Sequence, residues 1–290
     1  MNSLVPYIWA AGVVQLCIAI ANLFAPRKLQ YRENLAKVST IVGQIFRVYS
    51  VYITLMVVLL AVLSFFFAPE LAGGSKLGRF LCAFIAVFWT LRVFIQLFYY
   101  DPEVKRRNPG FNLLFTGAFL YLAIVFIVVA LRGGSAGEMS GGVTLPHSTL
   151  ATAFSVALWL AGIGHFVVLI ASFQVPARMK WKEDLAKLMP ANRKLMWTYG
   201  AFIVMTIIAF GTLTLVLHDE FLAGNRAALG LAAFIGVFWL LRLVIDFTYH
   251  SHADWPQGTR FVVAHVLLTS LFIALTVTYL GLVTWHVCIR

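Results

Sequence analysis

Charge is scarce in this chain of 290 residues: Asp, Glu, Lys and Arg make up 11% of it, against about 25% in ordinary soluble domains. Acid is the scarcer sign, with 11 Asp and Glu facing 22 Lys and Arg. Cysteine is rarer still. Cys17, Cys82 and Cys288 share no CxxC spacing and fall in or beside apolar stretches, which excludes a zinc ribbon, a thioredoxin-type motif and a disulfide scaffold. The chain also lacks a P-loop, a dinucleotide fingerprint, a GxSxG elbow and a haem-attachment CxxCH. Any activity therefore has to be carried within the apolar segments. No basic stretch precedes the first apolar run, because the first cation is Arg27. A cleavable signal peptide begins with such a stretch, so residues 4–25 are expected to stay as a helix.

What is abundant is apolar: 61% of residues are hydrophobic and the mean hydropathy is +0.90, which excludes a disordered chain and a cytosolic enzyme. With no water in a bilayer core to pair backbone groups, about 20 apolar residues must close their own hydrogen bonds as a helix to cross it. Eight stretches qualify, over 4–25, 48–68, 80–100, 111–131, 150–175, 195–217, 228–249 and 261–285. The expected fold class is an all-α integral membrane protein of eight transmembrane helices in contact with the lipid bilayer.

The connections one to two, three to four, five to six and seven to eight hold fifteen Lys and Arg, whereas Lys76, Arg79, Arg132, Arg226 and Arg290 are the five on the other side. By the positive-inside rule the first set is cytoplasmic and both termini face out. With no organelle address present, the expected location is a cell membrane of the bacterial inner-membrane kind. The segment Pro176–Arg193 mixes Met179, Trp181, Leu185, Leu188 and Met189 with five cations. It reads as a short amphipathic helix on anionic inner-leaflet lipids, and Pro26–Lys37 looks alike. Nucleic-acid binding is not expected, because the basic loops have no fold that would present them to a groove.

Shifting the chain by 150 residues lays Phe84–Arg92 (FIAVFWTLR) on Phe234–Arg242 (FIGVFWLLR), with seven of nine positions identical. Pro26, Glu33, Leu35-Ala36-Lys37 and Glu70 likewise meet Pro176, Glu183, Leu185-Ala186-Lys187 and Glu220. The expected organisation is a first four-helix repeat over 1–132, an external Gly/Ser-rich linker over 133–149 and a second repeat over 150–290. Four is even, so the copies run parallel, related by a pseudo-two-fold axis along the membrane normal.

Ionisable residues at membrane depth are costly and therefore informative. Arg92 and Arg242 each lie about eight residues, or ~12 Å, from the cytoplasmic end of their helix. Trp239, Arg242, Asp246, Tyr249 and His250 share one helical face, on which Asp246 can neutralise Arg242 from four residues away. The equivalent face is Trp89, Arg92, Gln96, Tyr99 and Tyr100, and Gln96 cannot cancel a charge. Comparison of the copies also sets His165 against Gln15, His250 against Tyr100, His252 against Pro102 and His265 against Phe115.

These residues support three readings. The first is a small carrier or permease for a polar or anionic solute, with Arg92, Gln96, Arg242, Asp246, Gln15 and His165 as substrate-binding or proton-coupling groups. The second is a membrane-embedded oxidoreductase holding a metal or haem on His165, His250, His252 and His265, although no HExxH or comparable spacing is present. The third is a non-catalytic subunit of a larger membrane complex or homo-oligomer.

Overall fold

A computed structural model describes residues 3–100, 109–132, 148–249 and 258–289. Among them every regular element is helical. In chain order these are α1 (Val5–Lys28), α2 (Tyr31–Leu35), α3 (Thr40–Phe66), α4 (Ala68–Ala72), α5 (Lys76–Phe94) and α6 (Pro109–Arg132). Then follow α7 (Thr149–Ser172), α8 (Val175–Arg178), α9 (Trp181–Leu185), α10 (Pro190–Val216), α11 (His218–Ala223), α12 (Arg226–Thr248) and α13 (Thr259–Thr284). Eight of these helices are long and apolar enough to cross a membrane, matching the eight stretches read from the sequence. Side-chain caps begin two of them, with Ser75 accepting from the Gly78 N–H and Ser148 from the Ala151 N–H.

Contacts divide the chain into two compact units, one formed by Met1–Glu138 with Lys180–Met205, the other by Met139–Met179 with Thr206–Arg290. In the first unit α1 packs on α3, α4 and α6, and α5 packs on α6. Its core is large and apolar, with Phe46, Met56, Leu60, Phe88, Trp89, Phe119 and Phe126 at 2% exposure or less. In the second unit α13 packs on α12 and α7. There α7 and α10 approach closely: a Cβ on Gly162 would stand 2.5 Å from Leu215 Cδ2, and one on Gly211 would stand 2.7 Å from Phe166. Small residues of this kind let membrane helices bring their backbones together.

The connection from α8 to α10 differs from the expected amphipathic surface helix. Lys180 takes a left-handed conformation (φ 47°) that breaks the segment into α8 and α9. Trp181, Leu185 and Leu188, the side chains the sequence pattern assigns to lipid, are buried within the first unit instead. The same break occurs at Gln30 (φ 48°) before α2.

What holds these elbows is an exchange of polar contacts. Asp184, at the end of α9, accepts from the Ser39 N–H (2.8 Å) and Ser39 Oγ (2.6 Å) with one oxygen, and from Lys187 Nζ (2.7 Å) with the other. Asn34, 150 positions earlier, accepts from the Met189 N–H at 3.3 Å, and Met189 stands 150 positions after Ser39. Tyr31 reaches Tyr199 hydroxyl to hydroxyl at 3.4 Å, and the edge-on pair Trp181 and Tyr49 occupies the shifted positions. Burial acts to raise the Asp184 carboxyl, but the hydrogen bonds from Lys187 and Ser39 outweigh it and hold the group below its ordinary value.

Candidate functional site

The face expected on the third span forms one wall of a cavity of about 810 Å³ in the first unit. Trp89, Arg92, Gln96 and Tyr100 line it, together with α1 residues between Cys17 and Lys28, Ile53 and Val57 of α3, Phe111, Phe115 and Phe119 of α6, and Leu195, Thr198, Tyr199 and Phe202 of α10. Tyr99 drops out of the expected face. A π-helical turn over Ile95–Tyr99 follows α5, and its wider winding leaves Tyr99 outside the lining while Tyr100 stays in it as expected.

Arg92 is half-buried. Its Nη1 donates to Gln96 Oε1 at 3.1 Å, and Gln96 Nε2 in turn donates to Asn112 Oδ1 on α6 at 2.7 Å. The guanidinium carbon lies 4.4 Å from the centre of the Phe119 ring and 5.4 Å from that of Tyr100, a cation on aromatic faces. All of these partners are neutral, so among the described residues no carboxylate balances Arg92 within ion-pair distance. Trp89, one turn earlier and 1% exposed, has no acceptor for its indole N–H among the described residues. Asn112 is a site residue that the sequence reading missed. Its only signal was position, a polar residue at the foot of an apolar helix, where helix ends are commonly polar.

The matching residues of the second unit satisfy one another. Arg242 Nη1 donates to Asp246 Oδ1 at 3.0 Å, and Thr269 Oγ1 donates to Asp246 Oδ2 at 3.4 Å. His265 Nε2 stands 3.7 Å from that same oxygen. Asp246 is 2% exposed. His165 is fully buried, and both its nitrogens are engaged: Nδ1 with the Ala161 carbonyl at 2.7 Å and Nε2 as acceptor for Trp239 Nε1 at 3.0 Å. Held this way, the ring presents no lone pair to a metal. Gln15, its counterpart, is also fully buried and accepts from Ser64 Oγ through Oε1 at 3.1 Å, with no partner for its Nε2 among the described residues.

His250 and His252 of the expected metal set lie outside the described residues. Among the described residues no three His, Cys, Asp or Glu side chains come together as a metal site. Residues 133–147 of the expected linker also lie outside them.

Comparison with family models, with curated proteins and with solved structures finds no match to this chain. Its class follows from the fold: it is a polytopic membrane protein with eight candidate spans. The site adds a half-buried arginine on the wall of a large cavity.

Proposed function

We propose that the protein is a small carrier, built from two parallel four-helix repeats, that binds an anionic solute at Arg92. The observation that carries this reading is the charge of Arg92, which faces a cavity of about 810 Å³ with Gln96 as its only hydrogen-bond partner among the described residues. A cation at membrane depth costs at least ~2.5–3.5 kcal/mol on insertion scales, so one with no counter-charge among the described residues is best explained by a ligand that supplies it. Arg242 is the contrasting case, since Asp246 already neutralises it.

The repeat is supported by contacts that recur under a shift of 150 residues. Asn34 with Met189 and Asp184 with Ser39 form one such pair, Tyr31 with Tyr199 and Trp181 with Tyr49 another. Helix bounds recur as well: α3 and α10 begin at residues 40 and 190 and end at 66 and 216. Reciprocal contacts of this kind are what two parallel copies related by a two-fold would make. In this reading the basic connections face the cytoplasm and its anionic lipids, both termini lie outside, and the membrane is a bacterial inner membrane.

The test is uptake into liposomes containing the purified protein, screened over anionic solutes with Arg92→Gln beside the wild type. At least one anion should be taken up by the wild type and lost in a folded Arg92→Gln protein. A folded variant that behaves as the wild type across the whole panel would overturn the assignment.

A further inference from the structure

Resting on the reading of Arg92 as an anion site, we infer that the solute is an organic monoanion with an apolar body, such as a medium-chain carboxylate, and not an inorganic anion. One fixed charge faces the inner part of the cavity. Arg92 stands over Phe119, while the next cation on the same groove, Lys28, stands over Phe111 with Nζ 4.7 Å from the ring centre. Phe111 and Phe119 are eight residues apart on α6, a separation of about 12 Å at ~1.5 Å per residue. Over that length the lining is mostly aromatic and aliphatic, including Phe24, Phe88, Phe115 and Phe202.

A small hydrated anion at Arg92 would trade most of its water shell for these rings, since beyond Arg27 and Lys28 the lining offers few polar side chains, Asn22, Gln96, Tyr100, Thr198 and Tyr199. An apolar body removes that cost, because covering the rings is itself favourable by about 25 cal/mol per Å². The indole N–H of Trp89 is the second observation pointing to an acceptor. It is buried in the cavity lining, lacks a partner among the described residues and lies three residues before Arg92 on the same helical face. A carboxylate with two oxygens can accept from both donors, whereas the matching indole of Trp239 is already spent on His165. Lys28 and Arg27, which also line the cavity, sit at its basic end, where they would attract the anion before it reaches Arg92. The volume lies within the ~300–1,000 Å³ typical of small-molecule sites.

The experiment measures binding of radiolabelled octanoate to the protein in phosphatidylcholine nanodiscs, with empty discs as blank. Competitors are sulfate, inorganic phosphate and octyltrimethylammonium, and a parallel set of discs contains phosphatidylglycerol. Saturable octanoate binding that falls at least tenfold in Arg92→Gln, weakens severalfold in Phe115→Asn and resists all three competitors is the expected result. Phe115→Asn leaves every charge in place, so it tests the apolar body even where loss of Arg92 disturbs folding. Should sulfate or phosphate bind in an Arg92-dependent way and displace octanoate, the inference is overturned while Arg92 stays an anion site. Blocking by phosphatidylglycerol would overturn it in favour of a two-chain lipid headgroup. If no anion binds in an Arg92-dependent way to folded protein, the inference and the reading of Arg92 both fall.

Discussion

Arg92 and Arg242 stand 150 positions apart in matching sequence, and the residue four places further on decides what each can do. Asp246 closes the second arginine in a 3.0 Å ion pair, while Gln96 gives the first only a neutral partner. Gln96→Asp should therefore place a carboxylate four residues from Arg92, as Asp246 is from Arg242, and abolish anion binding with the fold intact. Binding to the variant in nanodiscs, with its circular dichroism as a fold check, measures this. Unchanged binding would show that the charge of Arg92 is not what the site uses. The converse is Asp246→Asn. Removing one partner of a buried pair costs about 3–5 kcal/mol, and because the Arg242 side chain is 27% exposed the expected loss lies toward the low end of that range. The double substitution Arg242→Leu with Asp246→Leu should recover most of the lost thermal stability, since it leaves no charge behind. At this scale the sequence was informative where chemistry is local. An arginine and its i+4 neighbour can be read from spacing alone, whereas Asn112 as the second partner of Gln96, and His265 near Asp246, required helices to be brought together.

The elbows between spans show why some elements resist reading from pattern. Trp181, Leu185 and Leu188 have the spacing of a surface helix, yet a left-handed Lys180 turns them into the protein. The stabilising contacts, Asp184 with Ser39 and Asn34 with Met189, span 145 and 155 residues, and no local rule anticipates them. Asp184 makes this elbow sensitive to acid. Its carboxyl is held below the ordinary value of 3.8 by Lys187 and Ser39 against the opposing effect of burial. The unfolded chain therefore takes up this proton at a higher pH than the folded one. The resulting stability is fully present above about pH 4 and is lost as pH falls through the depressed folded value. Thermal melts of the wild type below pH 4 should decline more steeply than those of Asp184→Asn, which lacks the titrating group. Parallel declines would mean that the elbow contributes nothing to acid sensitivity. The close approach of α7 and α10 gives another expectation. Gly162→Ala and Gly211→Ala put a methyl group 2.5 and 2.7 Å from Leu215 and Phe166, an overpacking that costs about 1–3 kcal/mol. Gly117→Ala, with nothing within 4 Å, should be neutral or stabilising by up to ~1 kcal/mol, and paired melting curves distinguish the two classes.

For the molecule as a whole, the number of spans was legible because a membrane crossing is a property of about 20 consecutive residues and needs no knowledge of neighbours. The cavity was not, because it is bounded by α1, α3, α5, α6 and α10 together. Orientation lies between these cases, since it is encoded in totals. Fifteen cations on one set of connections against five on the other make a bias that should direct insertion with the basic set inside. That placement matters for the carrier reading, because the cationic end of the Arg92 cavity, marked by Arg27 and Lys28, would then open toward the cytoplasm. The check uses single cysteines at exposed lysines separated by three candidate spans, Lys76→Cys and Lys182→Cys. The background carries Cys17→Ser and Cys288→Ser and keeps the buried Cys82. In intact cells a membrane-impermeant maleimide should label the Lys76→Cys protein at once and the Lys182→Cys protein only after permeabilisation. The reverse pattern would turn the molecule over and make the Arg92 cavity a site loaded from outside. Labelling of both in intact cells would contradict the crossing of the spans between them.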